Sequence, residues 1–199
     1  MAGSFKNFGV LMGDPYFRGQ CLVQFFFFMT FFAYIAGSPF VFQNIYGISA
    51  QAYSFLFGGI GVAVSIAGTL PLRLAGRVPD DKVLRWTLWQ GIGGSILFVV
   101  GCWQQVSFAL LVAALLTVIP LVSVLGAVSF SMAMKSQGKQ AGSASALLGF
   151  FSMLAGGLAA PLVGVGGDHD AMPMAFLMLI GSVAAYVSYR LYIAPAHRG

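Results

Sequence analysis

From Gly138 to Gly167 the chain reads GKQAGSASALLGFFSMLAGGLAAPLVGVGG, with no charged residue after Lys139. An apolar run of that length cannot lie on a water-exposed surface, because a solvated helix keeps one polar face. It is long enough to cross the hydrocarbon core of a bilayer, which takes about 20 residues as helix. At about 100° per residue the segment divides into two stripes. Gly142, Ala146, Gly149, Met153, Gly156, Ala160 and Gly164 fall on one line, and all but Met153 are small. Leu147, Phe150, Phe151, Leu154 and Leu158 fall on a bulky side, roughly 120° away. The small stripe, namely Gly142, Ala146, Gly149, Gly156, Ala160 and Gly164, is expected to pack closely against another helix, as small residues do in membranes.

Five more runs of this kind precede or follow it. The six spans are expected at about 18–43, 50–72, 86–103, 107–134, 138–166 and 171–193, behind an amphipathic lead-in over 1–17 and before a tail over 194–199. Composition agrees. Of 199 residues 59% are hydrophobic and only 8% charged, with mean hydropathy +0.89, where soluble domains carry about 25% charged residues. Continuous apolar runs point to helices, since barrel strands alternate over about 10 residues. Trp86 and Trp103 bracket the third span as an aromatic belt would. The lead-in ends at Asp14-Pro15 and lacks the features of a cleaved signal peptide.

Charge placement sets the expected orientation. All ten Lys and Arg lie in the N-terminal segment through Arg18, the 73–85 segment, the 135–139 segment and the C-terminal end, and the three other connections have none. By the positive-inside rule both termini are cytoplasmic. The net charge of +5 is therefore a topology signal, and a nucleic-acid partner is not expected, because no basic face interleaved with aromatics accompanies it. Cys21 and Cys102 fall near opposite ends of their spans, too far apart for a disulfide.

Chemistry is constrained by what the spans lack. No span interior holds Asp, Glu, Lys, Arg or His, so no nucleophile–base pair or proton relay can be assembled within the membrane. The chain is not expected to be an enzyme or to need a cofactor. Asp168-His169-Asp170 has three ligand types in a row, but adjacent residues with no further ligands do not build a metal shell, and no metal is expected. On the first span Gln20, Gln24, Phe27, Phe31, Tyr34 and Ser38 share one face. Buried amides need partners, so this face is expected to look at protein or a watery cavity. Ser38-Pro39 should kink the span. Ser54-x-Leu56-x-Gly58 in the second span matches Ser145-x-Leu147-x-Gly149 in the fifth, as a three-plus-three inverted repeat would.

Three strings carry a more specific signal: Tyr34-Ile35-Ala36-Gly37-Ser38-Pro39-Phe40-Val41-Phe42, Ile45-Tyr46-Gly47-Ile48-Ser49 and Ala141-Gly142-Ser143-Ala144-Ser145-Ala146-Leu147-Leu148-Gly149. Together with Pro173-Met174-Ala175, they resemble the C-terminal half of a major facilitator superfamily transporter, of the Bcr/CflA drug-efflux type. The resemblance runs from about Asp14 to the end. It implies an all-α integral membrane fold, a six-helix half bundle in the bacterial inner membrane. That bundle would work with an N-terminal six-helix half or a second copy, exporting lipophilic small molecules in exchange for protons. The acidic coupling residues would then belong to the other half. It also implies that the first and fifth spans line the cavity, so Gln24, Phe27, Phe31, Tyr34, Leu147, Phe150, Phe151 and Leu154 are the expected substrate contacts. Two positions depart from the family pattern: Ala127-Val128 replaces a Pro-Asn pair, and the 73–85 segment is less basic than a gating loop. The alternative expectation is a truncated membrane protein that does not transport and only interacts.

Overall fold

Helices account for the chain in a computed structural model that describes residues 2–165 and 170–197, without the side chains of 2–7, 139 and 197. The short α1 (Ala2–Gly13) leads to α2 (Pro15–Pro39). Asp14 caps α2 by accepting the Tyr16 N–H at 3.0 Å, and Pro15 stands in its first turn, where a missing N–H costs nothing. Next come α3 (Ala50–Ala67), the single turn α4 (Leu70–Leu74), α5 (Asp80–Trp103), α6 (Phe108–Val118), α7 (Leu121–Ser136), α8 (Ala141–Gly164) and α9 (Met172–Ser188). Among the described residues no strand occurs. Six helical segments are long and apolar enough to cross a membrane: Pro15–Ile45, Ala50–Leu74, Asp80–Trp103, Phe108–Ser136, Ala141–Gly164 and Met172–Ile193. The third begins at Asp80, earlier than hydropathy alone marks it, because Asp80 and Asp81 occupy a first turn where the helix dipole favours anions. Gly166, Gly167, Asp168 and His169, which end the expected fifth span and start the Asp-His-Asp triplet, lie outside the described residues, as do Arg198 and Gly199 of the tail.

Prolines shape two spans. After Pro39 the first span continues to Ile45 as a π turn, the local widening that a lost backbone donor permits. Pro120 separates α6 from α7. Just beyond it, Ser123 Oγ donates to Val64 O at 2.7 Å and ties the fourth span to the second. Gly47, at φ +67°, turns the chain from the first span to the second, in a region that glycine enters without steric cost.

The first span sits at the centre. α2 packs on α7, α8 and α9, while α5 packs on α6, α7 and α9. Its contacts with α9 are close along the whole length. A Cβ built on Gly19 would lie 2.6 Å from Tyr192 Cβ, one on Gly37 2.8 Å from Met174 Sδ, and one on Gly181 2.7 Å from Phe26 O. Polar groups are paired at the same crossing. Thr30 Oγ1 donates to Met178 O at 3.0 Å, and the Ser95 and Ser182 hydroxyls meet at 3.0 Å. These are the small residues and hydroxyls by which helices associate in lipid, where no hydrophobic force separates protein from solvent.

The two ends differ in charge. At one end Lys135 bridges Asp80 at 2.6 Å, Tyr189 donates to Asp81 at 2.9 Å, Gln137 donates to Asp14 at 2.6 Å, and Arg18 lies over the Tyr192 ring. This is the end to which the basic segments belong. At the other, Tyr46 donates to Val106 O at 3.0 Å, and no Lys or Arg occurs in the connecting segments.

Candidate functional site

The amides of α2 are buried against neighbouring helices. Gln24 Nε2 donates to Ser152 Oγ at 2.7 Å on α8, and Ser129 Oγ on α7 donates to Gln20 Oε1 at 2.7 Å. Ser38 reaches Tyr53 at 2.8 Å on α3. The expected polar face is thus a packed face, and its partners are hydroxyls on the helices beside it. Gln24 Oε1 is left buried without a protein partner. Exchanging Gln24 for leucine should therefore remove the bond to Ser152 and a longer one, 3.5 Å, to Leu148 O, and relieve one lone acceptor. The net loss is about 1 kcal/mol or less, in line with interhelical bonds in bilayers. Thermal unfolding in detergent micelles would read it, and a loss several times larger would show that the amide organises more than Ser152.

The phenylalanines divide by position. Phe27 is 1% exposed and fills the space over Gly91, whose built Cβ would lie 2.7 Å from its ring. Tyr34 is 2% exposed and stacks on Phe57 with centroids 5.8 Å apart and planes at 11°. Leu147 is buried in a cluster with Leu11, Phe17 and Cys21. Phe31 and Phe151 are half-buried, and Phe150 and Leu154 are exposed. Of the eight expected contacts, Gln24, Phe27, Tyr34 and Leu147 are thus core positions in this chain, and Phe31 and Phe151 stand at an open face.

That open face belongs mainly to residues the polar pattern did not select. Phe28, Phe31, Phe32 and Ile35, flanked by Phe25, are half-buried residues of α2 that share one side of it. They are centred roughly 80° round the helix from the amide face at about 100° per residue. Phe28 lies beside Gly126 of α7, 3.6 Å from its built Cβ, and Phe32 lies 3.1 Å from that of Gly156 on α8. The Phe31 and Phe32 rings meet edge to face at 5.6 Å, and Phe25 meets Phe151 at 6.3 Å. With Phe57 beside Tyr34, the result is an aromatic wall on α2 flanked by α3, α7 and α8. Such a surface takes apolar and aromatic molecules without demanding one hydrogen-bond pattern. On the helical wheel Gln24 falls between Phe28 and Phe31, so its unpartnered oxygen is the nearest polar group in the pattern. A run of phenylalanines was visible in sequence, but their open side was not, because each ring is equally apolar.

The small-residue stripe of α8, expected to pack against another helix, is largely open within this chain. Gly142, Gly149 and Gly164 have nothing within 4 Å of a built Cβ, and Ala146 and Ala160 are exposed. Gly156 alone of the stripe's glycines meets a side chain, that of Phe32. The buried face of α8 is instead Ala144, Leu147, Leu148, Ser152, Ala155, Ala159 and Val163. α3 is more exposed still, with Ile60 and Ala67 as its buried residues and open space at Gly58, Gly59 and Gly61. Among the described residues no group of His, Cys, Asp or Glu could hold a metal ion.

No family model matches the chain. Among curated proteins it is similar to the "Uncharacterized MFS-type transporter YdgK" of Bacillus subtilis (strain 168), with 32% identity over 186 residues. The match covers 94% of this chain and 46% of that protein. The chain therefore spans about half the length of the curated relative it matches.

Proposed function

We propose that this chain forms one six-helix wall of a major facilitator superfamily transporter. It would export lipophilic compounds across the bacterial inner membrane by proton antiport, with an N-terminal six-helix bundle as the opposite wall. The observation that carries the reading is the aromatic wall of Phe28, Phe31 and Phe32, left half-open between α3, α7 and α8 while the amide face of α2 is buried. Two faces rich in glycine and alanine flank it on α3 and α8. Lipid gains little from a glycine face, whereas a second bundle can approach it closely. The similarity to about half of an MFS-type transporter supports a two-bundle assembly. With no Asp, Glu, Lys, Arg or His in the interior of any span, proton coupling falls to the other bundle.

The test is accumulation of ethidium in bacteria that lack their own efflux pumps. The chain is expressed alone and together with the part of the Bacillus subtilis relative that the match leaves uncovered. Lower accumulation only with both halves is the expected result. Lower accumulation with the chain alone would replace the partner half by a second copy of this chain. No change in either case would favour a membrane protein that interacts without transporting.

A further inference from the structure

At the end of the bundle opposite the basic segments lies a cavity of about 540 Å³, well within the size that encloses a small molecule. Its wall is contributed by all three connections at that end. Tyr46 comes from the turn after α2, Cys102, Trp103 and Gln105 from the end of α5, and Asp170 and Met172 from the start of α9. The wall is held in place. The Tyr46 hydroxyl donates to Val106 O at 3.0 Å, and its ring lies 6.2 Å from Phe108. Gln105 closes the α5 turn at φ +49°, a left-handed conformation rarely taken by a residue with a side chain. One oxygen of Asp170 accepts the Met172 N–H at 2.8 Å, which fixes the carboxylate at the head of α9.

Among the described residues the charge of this cavity has no internal balance. The connections at this end contain no Lys or Arg, and Asp170 has no ion-pair partner among the described residues. The comparable cavity at the other end, about 520 Å³ beside Tyr16, Asp80, Asp81 and Lys135, differs in this respect. There Asp80 bridges Lys135 and Asp81 accepts from Tyr189. A fixed carboxylate beside an exposed indole and a phenol ring combines Coulombic attraction with two electron-rich faces, the arrangement that recognises quaternary and protonated amines. Trp103 is 77% exposed, so its ring has surface to give.

We propose that this cavity binds an organic cation, with the ammonium group between Asp170 and the rings of Trp103 and Tyr46 and the apolar body toward Met172. The site is separate from the aromatic wall on α2 and needs no second bundle, since every wall residue belongs to this chain.

The experiment uses the chain in lipid nanodiscs with Trp86→Phe and Trp89→Phe, which leaves Trp103 as its single tryptophan. Benzyltrimethylammonium is titrated against Trp103 emission, with calorimetry in parallel. Its neutral carbon isostere, neopentylbenzene, serves as the control for simple partitioning. Saturable binding of the cation is expected, with affinity at least tenfold lower in Asp170→Asn, and lower by a similar factor in Trp103→Leu by calorimetry. Asparagine retains the oxygen that caps α9, so the bundle should keep its helical circular dichroism. Equal affinity in Asp170→Asn, equal saturable binding of the neutral isostere, or no saturable signal from a helical chain by either method would each overturn the proposal.

Discussion

Gly181→Ala is expected to lower the melting temperature of the detergent-solubilised chain by about 5 °C or more. The cause is a single methyl group with nowhere to go. A Cβ at this position would stand 2.6 Å from Thr30 Oγ1 and 2.7 Å from Phe26 O, both on the central helix. A flexible side-chain tip could swing aside, but a backbone carbonyl within a helix cannot move without displacing α2. Thr30 is itself held by Met178 O at 3.0 Å, so its rotation breaks a buried bond. Overpacking a tight core costs about 1–3 kcal/mol, and the backbone contact places this site at the upper end. For a chain of this size about 2–4 °C accompanies each kcal/mol. Gly93→Ala is the matched control, since its built Cβ meets nothing within 4 Å. That change should be neutral or slightly stabilising, as alanine is the better helix former by about 1 kcal/mol. Equal melting temperatures for the two variants would mean that α2 and α9 do not cross as closely as described.

Adjacent phenylalanines on α2 should fail in different ways. Phe27→Ala removes a ring that is 1% exposed and covers Gly91. In water such a truncation costs about 3–5 kcal/mol. In a bilayer the transfer part largely vanishes, because lipid is as apolar as the core, and the cavity part of about 2 kcal/mol remains. The chain should be less stable and less abundant. Phe28→Ala removes a half-buried ring of the aromatic wall and should leave the melting temperature within about 1 °C, as surface changes do. Where the chain exports ethidium with its partner half, Phe28→Ala should reduce that export about tenfold, the equivalent of one lost aromatic contact of about 1.4 kcal/mol. The reverse pattern, with Phe28→Ala unstable and Phe27→Ala defective only in export, would place the working surface back on the amide face.

The second prediction depends on knowing which side of α2 is open, and the residues alone left that undecided. Gln20, Gln24 and Ser38 mark a polar face, which the residues left to look at either protein or a watery cavity, because amides cannot be left in hydrocarbon. The physical requirement was right, but it has two solutions. In this fold Ser129, Ser152 and Tyr53 supply the partners, so polarity glues helices together and the phenylalanines are left for the opening. A similar ambiguity governs the glycines. A six-member stripe of small residues on α8 was conspicuous in sequence, yet the closest contacts are made by Gly19, Gly37, Gly91, Gly94, Gly101 and Gly181 on other helices. Small residues permit close approach from any partner, and their spacing does not say which helix provides it.

Amino-acid order alone determined that this chain is all-helical with six segments apolar enough to span a membrane, and that no Asp, Glu, Lys, Arg or His lies in their interiors. Those properties follow from length, hydropathy and charge, which act residue by residue on transfer into a bilayer. Tertiary structure decided which face of each helix is buried, which serines satisfy which glutamines, and that Tyr46, Trp103 and Asp170 from three separate connections share one cavity. The reason is that lipid and protein interior are equally apolar. In water the hydrophobic pattern tells inside from outside, but within a membrane that contrast is missing, and only packing and hydrogen-bond geometry distinguish the two.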